Sequence, residues 1–177
     1  HYEIIPEGED IPVDVLLLNT CGFIGDAKEE SVQAVLEAVE RKNRGEVGQV
    51  IVFGCLSQRY GHELPDLIPE VDGWFGAREF DPVIRSLGVE PDRSRDAERY
   101  LTTPSHYAYL KISEGCDRRC SYCAIPFIRG AHKSVPMEQL VDEAERLAAK
   151  GVRELIIIAQ DTTYYGLDLY RRRALAE

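Results

Sequence analysis

Three cysteines lie close together in the second half of the chain, with the spacing C-x3-C-x2-C. They are Cys116, Cys120 and Cys123, and they directly follow a predicted strand. Three thiolates on one short loop can bind a common centre, but structural zinc sites almost always use four protein ligands. A four-iron cluster tolerates three protein thiolates and leaves one iron open to another ligand. The spacing therefore favours an iron–sulfur cluster over three unrelated free cysteines.

The charge around this cysteine segment differs from that of the rest of the chain. From Cys116 to Lys133 there are four basic side chains and one acidic one, and nearby positive charge favours thiolate over thiol. The whole chain of 177 residues carries a net charge of −10. Residues 1–90 hold 18 acidic and 7 basic side chains, whereas residues 91–177 hold 13 and 14. We therefore expect no strong binding to duplex nucleic acid, and the acidity suits either a basic protein partner or a plain solvated surface.

Two further cysteines, Cys21 and Cys55, each follow the end of a predicted strand. Because the carboxyl ends of parallel strands meet at one edge of a sheet, these two side chains are expected to lie close together. Buried structural cysteines beside glycines are the alternative. Five cysteines without a secretory signal argue against a disulfide framework, so we expect a reducing compartment, the cytoplasm.

Strand and helix patterns alternate through the first half of the chain, which predicts an α/β fold with a parallel sheet. The first strand, rich in apolar residues, is expected to be buried on both faces, and Asp26 is the expected N-cap of the first helix. The predicted elements are strand 13–18, helix 25–43, strand 49–54, a helical turn at 57–60, strand 71–75 and helix 79–87.

A second α/β pattern begins after a stretch without periodicity. It contains strand 107–112, helix 136–150 and strand 154–159, as expected for the start of a larger barrel. We therefore predict an amino-terminal domain at 1–90, a linker at 91–105 and the first part of a second domain at 106–177.

The chain begins with His1 and ends in a helix-like segment, so we expect a piece of a longer protein. No apolar run approaches the roughly 20 residues that a membrane span needs, so no membrane partner is expected.

Several segments together resemble the radical S-adenosylmethionine (SAM) superfamily, specifically its methylthiotransferase branch. The cysteine segment resembles the cluster loop of that superfamily, and two earlier segments are similar to the amino-terminal domain of the branch. A later segment is more similar to the members that modify a ribosomal protein than to those that modify tRNA. The segments are Lys111 to Cys116, Cys123 to Gly130, Asn19 to Phe23, Gly54 to Tyr60 and Ala159 to Gly166.

The resemblance implies a radical SAM enzyme with two [4Fe–4S] clusters and S-adenosylmethionine as cofactors. In such enzymes the cofactor rather than a side-chain acid or base performs the difficult step. Reductive cleavage of S-adenosylmethionine gives a radical that abstracts hydrogen, and a methylthio group is then delivered. The implied substrate is the β-carbon of an aspartate in the twelfth protein of the small ribosomal subunit, and a reductant protein is the implied electron source. Methylthiolation of a modified adenosine in tRNA is the alternative, and a non-catalytic iron–sulfur or zinc module is an alternative of another class.

The resemblance also assigns site residues. Cys116, Cys120 and Cys123 would ligate the first cluster, while Cys21 and Cys55 match two of the three ligands of the auxiliary cluster. The third of those ligands should precede Val13, where the chain has no cysteine.

Other side chains are implied as contacts to S-adenosylmethionine. Tyr122 would lie near the adenine, with simple packing as the alternative. Gln160, Asp161 and Thr162 replace the common Gly-Gly-Glu segment, although Asp161 is equally suited to cap the next helix. Arg129, together with Lys133, would face the cofactor carboxylate or an acidic target, with a solvated basic rim as the alternative. His106 and His132 have no spacing partner and are expected to be structural or exposed.

Overall fold

The computed structural model describes residues 2–5, 11–92 and 101–177. The chain divides into two compact units, of which the first ends at Glu90 and the second begins at Pro91. Residues 93–100, which make up much of the predicted linker, lie outside the described residues. Within the described parts of the chain, no helix is both long enough and apolar enough to cross a membrane.

The first unit is built on a sheet of three parallel strands in the order β1, β2, β3. Strand β1 spans Val13–Thr20, β2 spans Val47–Gly54 and β3 spans Gly73–Gly76. The register pairs Thr20 with Gly54, and Gly54 with Gly76, so the three strands end at the same level. The predicted parallel sheet is confirmed, with strand ends shifted by up to two residues.

In the described residues of the first unit, the helices are α1 at Gly25–Asn43, α2 at Cys55–Tyr60, α3 at Leu64–Leu67 and α4 at Phe80–Ser86. The bounds of α1 are those predicted, but the prediction that Asp26 caps it is wrong. The N-cap residue is Ile24, and no side chain makes a capping hydrogen bond. Asp26 lies in the first turn, where its negative charge still favours the positive end of the helix dipole.

The core of the first unit lies between α1 and the sheet. Val35 of α1 and both Val50 and Val52 of β2 are fully buried there. Strand β1 is less buried than predicted, because Leu16 and Leu18 pack against this core while Leu17, which projects to the other face, is 45% exposed. The expectation that β1 is buried on both faces is therefore wrong.

The second unit contains two parallel strands, β4 at Tyr107–Lys111 and β7 at Glu154–Ile158, in direct register. Helix α6, at Met137–Ala149, lies between them in sequence and buries Leu140 and Leu147. A short antiparallel pair, β5 at Ser113–Glu114 and β6 at Lys133–Ser134, was not predicted. The remaining elements are α5 at Ile125–Arg129, a 3-10 helix at Thr162–Tyr164 and α7 at Leu167–Tyr170. The mixed α/β class with parallel strands is thus confirmed in both units.

Candidate metal centre

The three cysteines of the second unit lie on a loop that is closed at its base. We call residues 115–132 the cysteine loop; it leaves the sheet after β5 and returns at β6. Ser113 pairs with Ser134 and Glu114 with Lys133 across the base. Beyond these two pairs, the N–H of Cys116 donates to the carbonyl oxygen of Gly130 at 3.0 Å. The first cysteine is therefore fixed at the point where the loop leaves the sheet.

The three thiols differ in exposure. Cys116 is buried, Cys123 is half-buried and Cys120 is exposed, and none of them forms a disulfide. The N–H of Cys123 donates to the carbonyl oxygen of Cys120 at 3.1 Å, so these two residues share one tight turn.

The donor set of this loop fits an iron–sulfur cluster, since three free thiols lie within eight consecutive residues. The side chains themselves are not gathered into a metal site. Among the residues that the structure describes, no three His, Cys, Asp or Glu side chains are close enough together to hold a metal ion.

The carboxyl ends of β4 and β7 lie at one sheet edge, because the two strands are parallel and in register. The cysteine loop follows β4 by way of β5, and a second segment follows β7. An ion pair joins the two: Arg118 Nε is 2.6 Å from Asp161 Oδ2. The Nη2 of Arg118 also donates to Thr163 Oγ1 at 3.2 Å. The structure thus brings the cysteine loop and the predicted cofactor-binding segment together.

Asp161 caps the 3-10 helix that follows it. Its Oδ1 accepts from the backbone N–H of Thr163 at 3.0 Å and from the Thr163 hydroxyl at 2.6 Å. Hydrogen bonds from Thr163 and Arg118 outweigh partial burial and hold the pKa of Asp161 below its usual range. Asp161 therefore takes the capping role that the sequence left open, and Thr162 is the first residue of the helix.

Gln160 contacts Glu114, an acidic residue whose position in the sequence carries no spacing signal. Its Nε2 donates to Glu114 Oε1 at 2.8 Å, across 46 residues of sequence. Glu114 also pairs with Lys111, and with Arg129 at 3.5 Å. Burial alone would raise the pKa of Glu114, but the hydrogen bond and charge of Lys111 and the charge of Arg129 hold it below its usual range. Gln160 and Arg129 therefore both contact the carboxylate of Glu114.

Tyr122 projects from the cysteine loop and is 86% exposed. Phe127, on α5 of the same loop, is similarly exposed. The side chain of Tyr122 is accordingly accessible to a planar ligand above the loop.

The return of the cysteine loop to the sheet is held by a second carboxylate. Asp117 Oδ1 accepts from the N–H of His132 at 3.0 Å. The His132 ring is buried, with Nε2 at 3.1 Å from Ser134 Oγ. The role of Asp117 was not found from the sequence, because it depends on a contact across the base of the loop.

The cysteines of the first unit lie at the carboxyl edge of its sheet. Thr20 and Gly54 are register partners, and Cys21 and Cys55 are the residues that directly follow them. Cys21 is exposed and Cys55 is buried at the start of α2. The two residues therefore directly follow neighbouring positions on adjacent strands, and the closeness of their thiols stays a prediction.

Two side chains fix the backbone around Cys21. The hydroxyl of Ser31 accepts from the N–H of Cys21 at 2.9 Å and donates to its carbonyl oxygen at 3.0 Å. Arg59 Nη1 donates to the carbonyl oxygen of Gly22 at 3.0 Å. A Cβ atom on Gly22 would lie 2.7 Å from the backbone oxygen of Cys55, so the two segments are in direct contact.

Comparison with known families identifies both units. Residues 2–76 match the family described as Uncharacterized protein family UPF0004, and residues 110–177 match the Radical SAM superfamily. The chain therefore combines a UPF0004 domain with the start of a radical SAM domain.

Individual relatives share a more specific description. The chain is 57% identical over 164 residues to the ribosomal protein uS12 methylthiotransferase RimO of Christiangramia forsetii, which is 93% of this chain and 36% of that protein. It is 54% identical over 176 residues to the protein of the same name from Porphyromonas gingivalis, with 99% and 41% covered. The corresponding protein of Bacteroides thetaiotaomicron is 49% identical, with 99% and 40% covered. The chain thus spans about two fifths of the length of these relatives, and the predicted resemblance to methylthiotransferases is confirmed.

Proposed function

We propose that this chain is part of a radical SAM methylthiotransferase that acts on ribosomal protein uS12, at the β-carbon of an aspartate. The relatives support this proposal through their shared description. The observation that carries it is the cysteine loop, which is closed at its base and joined to the segment after β7 by Arg118 and Asp161.

We propose Cys116, Cys120 and Cys123 as ligands of a [4Fe–4S] cluster. When bound, this cluster supplies the electron for the reductive cleavage of S-adenosylmethionine. The pairing of β5 with β6 holds the backbone just before Cys116, and a backbone hydrogen bond links Cys120 and Cys123 within one turn.

Gln160, Thr162, Tyr122 and Arg129 are proposed as contacts to S-adenosylmethionine. Gln160 and Arg129 converge on Glu114, so their polar groups lie at the edge of the sheet where the cysteine loop begins. Tyr122 offers an exposed ring for the adenine. Asp161, which the sequence placed in the same group, supports it by capping the 3-10 helix.

Cys21 and Cys55 are proposed as two ligands of a second [4Fe–4S] cluster. Their positions after register partners on adjacent strands support this. We propose that residues 1–90 form the auxiliary-cluster domain and that residues 106–177 belong to the radical SAM domain, with a linker between them.

The proposed partner is a basic ribosomal protein, and the acidic first half of the chain suits it electrostatically. A reductant protein in the cytoplasm is proposed as the electron source.

Anaerobic reconstitution of the chain with iron and sulfide tests the metal site. We expect iron in the wild-type chain, loss of the iron held by the cysteine loop in Cys120→Ala, and no change in Ser121→Ala, the matched control on the same loop. Formation of 5′-deoxyadenosine from S-adenosylmethionine and dithionite is the second readout. Stoichiometric zinc without iron would instead identify a non-catalytic zinc module.

Mass spectrometry tests the substrate. We compare uS12 and bulk tRNA from cells with and without the gene that encodes this chain. A methylthio mass on uS12 that depends on the gene is expected, whereas a mass that appears only on tRNA would overturn the proposed substrate.

A further inference from the structure

Arg118 makes three contacts outside the cysteine loop although it lies between two of the proposed ligands. Its Nε pairs with Asp161 Oδ2 at 2.6 Å, and its Nη2 donates to Thr163 Oγ1 at 3.2 Å. Its guanidinium carbon lies 4.7 Å from the centre of the Tyr164 ring. All three partners belong to the segment that follows β7, more than 40 residues further along the chain.

These contacts engage both oxygens of the Asp161 carboxylate. Oδ2 pairs with Arg118, and Oδ1 accepts both the backbone N–H and the hydroxyl of Thr163. The side chain of Asp161 is 14% exposed, which limits its access to any other ligand. A carboxylate that caps a helix and pairs with an arginine at once has a fixed orientation.

We propose that Arg118 and Asp161 are positioning residues that latch the cysteine loop to the segment after β7. The Arg118–Asp161 latch holds the stretch between Cys116 and Cys120 over the carboxyl end of β7. It assigns Asp161 to loop positioning rather than to contact with the cofactor. An effect of the latch on iron retention rests on the proposed function, whereas its effect on the order of the cysteine loop does not.

The chemistry of the latch requires arginine rather than a lysine. The planar guanidinium reaches two acceptors in fixed directions and stacks on an aromatic ring at the same time. A lysine ammonium would keep the charge but not this geometry. Arg118→Lys is therefore expected to restore only part of the effect of the native residue.

Hydrogen–deuterium exchange of the metal-free chain tests the latch directly. We expect amides of residues 116–123 to exchange about fivefold faster in Arg118→Ala than in the wild-type chain. The reason is that the variant lacks the ion pair and hydrogen bonds that hold this part of the loop. Asp161→Asn, which keeps a capping oxygen, is expected to have a similar effect. The double variant should be no worse than either single variant, because both remove the same interaction.

Arg119→Ala is the matched control, since it removes a neighbouring charge from the same loop. Its exchange is expected to equal that of the wild-type chain. The midpoint of thermal unfolding is expected to stay unchanged in Arg118→Ala, because Arg118 is about half exposed. Wild-type exchange in Arg118→Ala, or equal acceleration in Arg119→Ala, would overturn the latch.

Iron release to a chelator separates this proposal from the proposed function. We expect reconstituted Arg118→Ala to lose iron faster than the wild-type chain, with an intermediate rate for Arg118→Lys. If the wild-type chain takes up no iron, the proposed metal site fails while the exchange data still decide the latch. If both chains hold iron and release it at the same rate, the positioning role toward the metal is wrong.

Discussion

Ser31 shows how one buried side chain fixes a proposed ligand. Its hydroxyl, on α1, forms hydrogen bonds with both the N–H and the carbonyl oxygen of Cys21, which directly follows β1. Ser57 provides a contrast, since it is also buried but its Oγ has no hydrogen-bond partner among the described residues. Two serines of similar burial therefore differ in what their hydroxyl groups do.

Replacement of these serines should separate the two roles. Ser31→Ala is expected to lower the free energy of unfolding by about 1–2 kcal/mol, because it leaves two backbone groups of Cys21 without their partner. Ser57→Ala should be close to neutral, because it removes an unpaired buried hydroxyl. Urea unfolding of the two variants measures both effects, and equal destabilisation would contradict the assignment.

Asp72 predicts a dependence of stability on acid pH. Its Oδ2 accepts from the N–H of Val50 at 2.7 Å and from Lys42 at 2.6 Å. Burial would raise the pKa of Asp72, but these hydrogen bonds and the charge of Lys42 lower it below its usual range.

Because the pKa of Asp72 is lower in the folded chain, its contribution is present above the ordinary value of about 3.9 and is lost as the pH falls further. Asp72→Asn should therefore flatten the loss of unfolding free energy as the pH falls below about 4. Chemical unfolding at several pH values measures this slope. An unchanged slope would show that the carboxylate does not couple folding to protonation.

The residues that could be predicted from the sequence are those whose type and spacing are themselves informative. Cys116, Cys120 and Cys123 fall in this group. Glu114 and Ser31 do not, because their roles depend on partners 46 and 10 residues away that only the folded chain brings close. Arg118 was counted only as a local charge for the same reason.

At the scale of elements, the close approach between the β1 end and α2 depends on a glycine. A Cβ atom at Gly22 would meet the backbone of both Cys55 and Leu56 at less than 3 Å. Backbone atoms cannot rotate away as a flexible side chain does. The segment that follows β1 can therefore reach α2 only without a side chain at this position.

Gly22→Ala is expected to destabilise the first unit by about 1–3 kcal/mol through steric overlap. Gly25→Ala is the matched control, because its Cβ would meet no atom within 4 Å at the first residue of α1. It should be neutral or slightly stabilising. Thermal unfolding compares the two, and equal stability of both variants would contradict the close approach.

Periodic patterns explain which elements could be predicted. The apolar spacing of α1 and α6 gave their ends to within one residue, since long amphipathic helices carry a strong signal. Strands β5 and β6 have two residues each and no periodicity. Their pairing depends on chain segments about 20 residues apart, so the closed base of the cysteine loop could not be predicted.

At the scale of the whole molecule, each unit has its own apolar core. Val52 is fully buried in the first unit, and Leu147 is buried in the second. The formal charges also divide unequally, with most of the acidic excess before residue 91. Separate cores indicate that each unit can lose stability by itself.

Core substitutions test this independence. Val52→Ala should destabilise by roughly 2 kcal/mol and speed amide exchange in β1, β2 and β3 without affecting β4 and β7. Leu147→Ala should do the reverse. The surface substitution Val141→Ala, at a position that is 54% exposed, is the control with little effect on either set. Equal acceleration in both units would show that they unfold as one.

The closed base of the cysteine loop also determines when the entropic cost of gathering its thiols arises. With β5 paired to β6, the ends of the loop are joined by contacts within the protein itself. Closing a loop costs only about 0.6 kcal/mol more for each doubling of its length. A longer loop between β5 and β6 should therefore still close with little loss of stability. If the loop holds the proposed cluster, separating β5 from β6 would move the closure cost to the binding step, and the affinity for that cluster would fall even with all three cysteines intact.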